Sequence, residues 1–141
     1  MIKVSKGTNN KIFEDAYKIR VAVFSDEQGI PVEHELENID KLAFHAVYYD
    51  GEKAVSCGRL RVGQKRAKLC RIATLPEARH KGYAKKLIQK LLDLAKKSSC
   101  KEIYLHSQLY IVPLYESFGF VCEGDEFAEE GILHIKMFYK D

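Results

Sequence analysis

The sequence predicts an α/β fold in which a central mixed, mainly antiparallel sheet is flanked by helices. Three observations carry this expectation. Strand-like and helix-like periodicities alternate along the whole chain, Asp50-Gly51 joins two neighbouring strand candidates, and residues 81–97 hold a long amphipathic helical pattern. No repeat or low-complexity tract interrupts the alternation, and 141 residues with 46% hydrophobic content suit one compact domain over residues 1–141 with a real core.

Taken in order, Ile2 to Ser5 reads as a short first strand. Asn9 and Asn10 can cap a helix by accepting its free N–H groups, and Ile12, Ala16, Ile19 and Val23 then recur at helical spacing through Phe24. Ser25 to Leu42 contains Gly29, Pro31 and many acids without sustained periodicity, so a long loop with one short helical turn is expected. Ala43 to Tyr49 is a strand, Asp50-Gly51 a tight hairpin turn, and the antiparallel return strand runs through Val62. Lys68 to Leu75 forms another strand, ended by Pro76.

In the amphipathic helix from about Lys81 to Lys97, Ala84, Leu87, Ile88, Leu91, Leu92 and Ala95 follow the 3.6 period while lysines fill much of the remaining surface. Glu102 to Ser107 is a strand, and Ile111 to Phe118 a short helix stopped by Gly119. Phe120 to Glu123 begins a strand that pairs with the closing strand, Ile132 to Tyr139.

Composition narrows the function classes. No run of about 18 apolar residues occurs and Met1 to Lys6 lacks a secretory apolar stretch, so a soluble, cytoplasmic protein without membrane partners is expected. Cys57, Cys70, Cys100 and Cys122 lie far apart with no C-x-x-C pair, which speaks against a metal site; all but Cys100 fall in strand candidates and read as small buried hydrophobes. A formal net charge of +3 is too small to argue for nucleic acid and suits an anionic small ligand.

The sharpest local signal is the strand ending Arg71-Ile72-Ala73-Thr74, followed by Arg79-His80-Lys81-Gly82-Tyr83-Ala84-Lys85 where the amphipathic helix begins. Unpartnered N–H groups and the macrodipole make such a helix start an anion site, Gly82 lets a phosphate approach the backbone, and Arg79 and Lys81 can add charged hydrogen bonds. The same residues also fit a plain helix entry with solvated basic groups. Neither a G-x-x-x-x-G-K-[ST] loop nor a G-x-G-x-x-G loop is present, which excludes those nucleotide-binding patterns.

Arg79 to Ala84 resembles the R/Q-x-x-G-x-G/A signature of the GNAT superfamily of N-acetyltransferases. Leu114-Tyr115-Glu116-Ser117-Phe118-Gly119-Phe120 resembles that family's L-Y-x-x-x-G-F segment at the expected distance downstream. The resemblance implies an enzyme transferring the acetyl group of acetyl-CoA to a small-molecule or peptide amine. On it, Arg71, Ile72, Ala73 and Thr74 offer backbone groups to the pantetheine arm, and the backbone of Arg79 to Lys85 holds the pyrophosphate. Gln108 stands where relatives often carry a cofactor-contacting asparagine, and Tyr115 matches the tyrosine that protonates the departing thiolate in many relatives. A phenol suits a thiol leaving group, although Tyr115 also fits an ordinary core aromatic.

A narrower likeness to the small bacterial ElaA-like branch is carried by Arg20 to Gln28, Glu35 to Asp40 with His45, Gly58-Arg59-Leu60-Arg61, Gln108 and Gly131 to Met137. It supplies no acceptor. Glu27, Glu33, Glu35 and Asp40 in the acidic loop, with His45, His106 and His134 on strands, are the acceptor-side candidates, each also readable as a solvated charge or a structural histidine. Together the acids suggest a cationic acceptor. A backbone N–H near Ile72 or Ala73 is the expected oxyanion donor. No activated serine or cysteine–histidine pair is legible, so direct attack by the amine in a ternary complex is expected. A non-catalytic acyl-CoA sensor is the alternative, and a homodimer is common among look-alikes.

Overall fold

The computed structural model describes residues 1–140. Strand β1 (Ile2–Lys6) leads to helix α1 (Lys11–Arg20), then β2 (Phe44–Asp50), β3 (Lys53–Val62), β4 (Arg66–Thr74), α2 (Tyr83–Lys97), β5 (Glu102–Gln108), α3 (Val112–Glu116), β6 (Phe120–Glu129) and β7 (Ile132–Tyr139). The seven strands form one sheet in the order β1-β2-β3-β4-β5-β7-β6, in which only β4 and β5 run parallel. The expected mixed, mainly antiparallel α/β sheet is therefore the observed one.

Period-2 alternation distributes the core to both faces. On one face Leu87, Ile88, Leu91, Leu92 and Ala95 of α2 pack with Ala46, Leu60, Leu69 and Leu105. On the other, Ala16 and Ile19 of α1 join Val47, Cys57 and Ala73. Each fully buried leucine or isoleucine contributes about 1.5–3 kcal/mol, so the apolar stripe of α2 anchors this half of the sheet.

Helix α1 starts where Asn10 Oδ1 accepts the Phe13 N–H at 2.8 Å. It does not continue as an α-helix to Phe24. The chain widens instead into a π-helical stretch, Val21–Glu27, where the Gln28 N–H reaches back to the Val23 carbonyl at 3.1 Å. Neighbouring Val23 and Phe24 are both buried there. The following acidic segment holds two 3₁₀ turns, Val32–His34 and Asn38–Lys41, rather than one. Near the other end, a 3₁₀ turn, Leu109–Ile111, precedes a shorter α3 than expected, with Pro113 in its first turn.

The cysteines divide differently from the expectation. Cys57 is buried and its thiol is pushed up to about 12 by burial, whereas Cys70 and Cys122 are only half-buried. Cys70 Sγ instead accepts the Arg59 Nε–H at 3.2 Å beside the cleft described below.

Candidate active site

The site arises where the sheet comes apart. The parallel β4–β5 ladder runs from Arg66↔Glu102 to Leu69↔Leu105 and stops, although β4 continues to Thr74 and β5 to Gln108. Beyond that point β4 pairs with β3 alone and β5 with β7 alone, leaving the β5-facing edge of residues 70–74 without a strand partner. A bulge sharpens the divergence. The β3–β4 register shifts between Cys57 and Arg59, and Arg71 adopts a left-handed φ of 51°. Gly58 lies within the shift, and a Cβ there would meet Leu91 Cδ1 at 2.6 Å, so any larger residue would require Leu91 to move.

The wedge opens into a cleft of about 700 Å³ lined by β4 from Lys68 to Thr74, by Gln108 of β5 and by Tyr115 of α3. One end reaches the start of α2. Gly82, at φ 84°, is the helix N-cap and offers no side-chain hydrogen bond, so the first-turn N–H groups lack a side-chain cap; His80 is also left-handed, at φ 65°. Left-handed positions alternating with right-handed or extended ones at a helix start turn successive N–H groups toward one side, where an anion can be accepted. Of the predicted phosphate loop, Arg79, His80 and Ala84 line the cleft. Lys81 and Lys85 are exposed, and the Tyr83 ring stacks on Tyr48 with centroids 4.5 Å apart.

Two arginines predicted near the cofactor direct their side chains elsewhere. The Arg79 guanidinium donates to Thr74 O at 3.0 Å and to both Glu27 carboxylate oxygens, at 2.7 and 2.5 Å, pinning the π-helical stretch to the α2 entrance. Arg71 reaches Glu37 at 3.2 Å and Glu35 at 3.7 Å, with its guanidinium over the Phe24 ring. Ile72, Ala73 and Thr74 follow along the cleft wall.

Tyr115 is 5% exposed, borders the cleft and packs edge-on against Phe120. Burial, reinforced by the neighbouring Cys70 and Tyr110, pushes its phenol well above the ordinary value, so it stays protonated at neutral pH. Gln108 also lines the cleft and donates Nε2–H to Gln28 Oε1 at 3.2 Å.

Glu35, Asp40 and His45, expected on the acceptor side, do not line the cleft. They belong to a buried ionic network beneath the acidic segment. Arg20, 1% exposed, donates to Asp40 at 2.9 and 3.1 Å and to the Glu35 carbonyl; Arg59 donates to Asp40 at 2.9 Å and to Glu37 at 3.0 Å. Burial alone would raise the Asp40 carboxyl, but hydrogen bonds from Arg20 and Arg59 hold it at about 2. Glu35 makes looser ion pairs, and burial pushes it up against the pull of Arg71 and Arg20. His45 meets the Asp40 carbonyl through Nε2 at 2.9 Å and packs against Phe13, with burial lowering its pKa. These carboxylates are paired with arginines inside the protein rather than presented to the cleft.

The cleft lining instead includes Glu37, Arg59, His106, Glu129 and His134. His106 Nδ1 lies 3.0 Å from Glu129 Oε1; His134 Nδ1 donates to Ile132 O at 2.7 Å, and its Nε2 lies 3.6 Å from Glu129 Oε2. Burial lowers the His106 pKa, with Glu129 opposing and Lys68 assisting that shift. Glu129 is held low by His106 and Lys68 despite a burial effect that would raise it. Glu33 is exposed, away from the cleft lining. Glu129 and Glu37 left no local trace in the sequence, because only strand register and the fold of the acidic segment bring them here.

Comparison with known proteins agrees with this geometry. Residues 13–140 match the model of the Acetyltransferase (GNAT) domain. The uncharacterized N-acetyltransferase YjcF of Bacillus subtilis is 34% identical over 130 residues, covering 92% of this chain and 93% of that protein. Escherichia coli ElaA superposes with a TM-score of 0.89 at 21% identity, covering 99% of both chains. A GNAT family acetyltransferase from Elizabethkingia anophelis, crystallised with acetyl-CoA bound, superposes with a TM-score of 0.71 at 13% identity over 99% of this chain and 97% of that one. With its splayed strands, its uncapped helix entrance and a domain match spanning nearly its full length, this chain belongs to the GNAT family and is an acetyltransferase.

Proposed function

We propose that the protein transfers an acetyl group from acetyl-CoA to a primary amine by direct attack in a ternary complex. The single observation that carries this reading is the opening between β4 and β5, which ends at the uncapped start of α2. The unpartnered edge of Arg71 to Thr74 suits the amide-rich pantetheine arm, which can pair with it as a strand would. The N–H groups of the loop from Arg79 to Lys85, with Gly82 at its centre, suit the pyrophosphate. Gln108 adds a side-chain amide on the opposite wall. When bound, acetyl-CoA supplies the activated thioester whose acyl carbon bonds to the amine nitrogen as the carbon–sulfur bond breaks.

This chain's residues then manage charge and protons. A backbone N–H near Ile72 or Ala73 stabilises the developing negative charge on the carbonyl oxygen. Tyr115 donates its phenolic proton to the leaving sulfur, a role supported by its burial beside the cleft and its retained proton, and regains one from solvent. His106 takes the proton released by the amine. Glu129 accepts its Nδ1–H, which leaves Nε2 with the lone pair, and burial keeps the ring neutral near pH 7. Neither a covalent acyl-enzyme nor a cysteine nucleophile is needed: Cys70 touches Arg59 but no histidine.

The direct experiment is thiol release from acetyl-CoA with a panel of primary amines, paired with mass detection of the acetylated product. Amine-dependent release that scales with the product supports direct transfer. Release without an amine, or an acetylated protein that forms before amine is added and is consumed by it, contradicts the mechanism.

A further inference from the structure

The charges lining the cleft are unevenly partnered. Arg59 is paired with Asp40 and Glu37, Arg71 with Glu35 and Glu37, and Arg79 with Glu27. The cleft's carboxylates are equally engaged: Glu37 by arginines, Glu129 by His106 and His134, and Glu130 by His34. Among the described residues, two cleft cations are left without a carboxylate within ion-pairing distance, Arg61 and Lys68. They are cross-strand partners on β3 and β4. Lys68 is half-buried, and its one close aromatic neighbour is the Tyr104 ring, 6.0 Å from Nζ.

This pair also forms the boundary with a second, smaller cavity of about 370 Å³ at the β3–β4 turn, which adds Lys65, Arg66 and Tyr104. Of these further cations, Arg66 alone has an acidic partner among the described residues, Glu102 at 3.4 Å. A half-buried ammonium beside a guanidinium, with Glu129 acting on Lys68 only from beyond ion-pairing distance, is an arrangement that an incoming anion further stabilises. Arg61, Lys65, Arg66 and Lys68 outnumber the carboxylates acting on them, Glu102 and Glu129, so cationic side chains predominate here.

We infer that the acceptor is an anionic amine: its amino group faces His106 and Glu129, while a carboxylate or phosphate elsewhere on the molecule is bound by Arg61 and Lys68. This rests on the transferase reading above and adds the substrate class to it. Lys65 and Arg66 extend the same positive surface, so acceptors with a longer acidic portion fit the second cavity.

The test compares 4-aminobutyrate and 6-aminohexanoate with the length-matched neutral-tailed amines butylamine and hexylamine, and with 1,4-diaminobutane and 1,6-diaminohexane. Binding is measured by calorimetry on the protein alone and with CoA added, and transfer by thiol release, on the wild type, Arg61→Ala, Lys68→Met and the charge-preserving Arg61→Lys. The expected result is at least a tenfold preference in binding and in kcat/KM for the amino acids over both other classes. Arg61→Ala and Lys68→Met should lose it, Arg61→Lys should largely keep it, and acetyl-CoA affinity should stay within twofold throughout. Equal or better use of the diamines or alkylamines, a preference that survives both charge-removing variants, or no binding of any amino acid overturns the inference. If the amino acids bind selectively through Arg61 and Lys68 but acetyl-CoA does not bind, the anion site stands and the transferase reading fails.

Discussion

At the scale of single residues, Asp40 and Tyr115 show how burial serves different ends. Asp40 is ionised in the interior because Arg20 and Arg59 both donate to it. Its pKa falls from 3.8 to about 2 on folding, so its stabilisation is present above about pH 4 and is lost as pH falls toward 2. This shift corresponds to about 2 kcal/mol. Glu35, with a raised pKa, works in the opposite sense, and its protonation on acidification relieves a buried charge. Asp40→Asn strands two guanidinium groups and should cost about 3 kcal/mol at pH 7 in urea unfolding. The gap from wild type should shrink below pH 4; an unchanged gap at pH 2.5 would show that the Asp40 charge is not its source. For Tyr115, replacement by phenylalanine keeps the ring packed on Phe120 and removes only the hydroxyl. It should lower kcat about 100-fold while leaving acetyl-CoA affinity within twofold. Full activity in Tyr115→Phe would remove the phenol from the proposed proton transfer. The sequence displayed Tyr115 openly through its local motif, but it could not reveal that Glu35 and Asp40 are tied to arginines 15 or more positions away along the chain, or that His45 meets the Asp40 carbonyl.

At the scale of elements, what could be read was what repeats. The period of α2 and the alternation in β5 are set by local spacing, and these elements, like β2, β3 and β7, lie close to where the sequence predicts them. The features that create the cleft are one-residue departures from regularity. The register shift at Arg71 turns its side chain toward Glu35 and Glu37, and the π-helical stretch after Arg20 brings both Val23 and Phe24 inward. Neither changes the local hydrophobic pattern, so neither is visible without the tertiary partners that select it. The entrance of α2 is the element most exposed to test. At Gly82 an added Cβ meets nothing within 4 Å, but φ is 84°, so Gly82→Ala acts through backbone strain alone. It should destabilise the protein by about 1 kcal/mol and weaken acetyl-CoA binding several-fold. Unchanged affinity for acetyl-CoA, measured by calorimetry on the folded variant, would separate this loop from the pyrophosphate.

At the scale of the whole molecule, the cleft is held by links between distant parts of the chain. Glu27 clasps Arg79 at the α2 entrance, Gln28 meets Gln108 on β5, and His34 reaches Glu130 beside the β6–β7 turn at 3.0 Å. The segment from Glu27 to His34 thus touches the α2 entrance, β5 and the β6–β7 turn. Breaking the first link with Glu27→Gln should raise the KM for acetyl-CoA several-fold with little loss of global stability, because the Arg79–Glu27 pair is partly exposed. A KM equal to wild type would assign that pair no role in holding the entrance. Sequence alone made the architecture and the two motif segments legible, whereas the charge balance of the cleft depends on which acids the fold neutralises. Acetyl-CoA binding in the β4–β5 opening is tested most directly by thermal unfolding with acetyl-CoA, against adenosine diphosphate at the same concentration. At about 100 times its dissociation constant, a ligand of the native state adds roughly 2.7 kcal/mol, equivalent to about 8 °C here. A shift of that size with acetyl-CoA, well above that with adenosine diphosphate, is the predicted result; no shift at millimolar acetyl-CoA would contradict the assignment of the β4–β5 opening as its binding site.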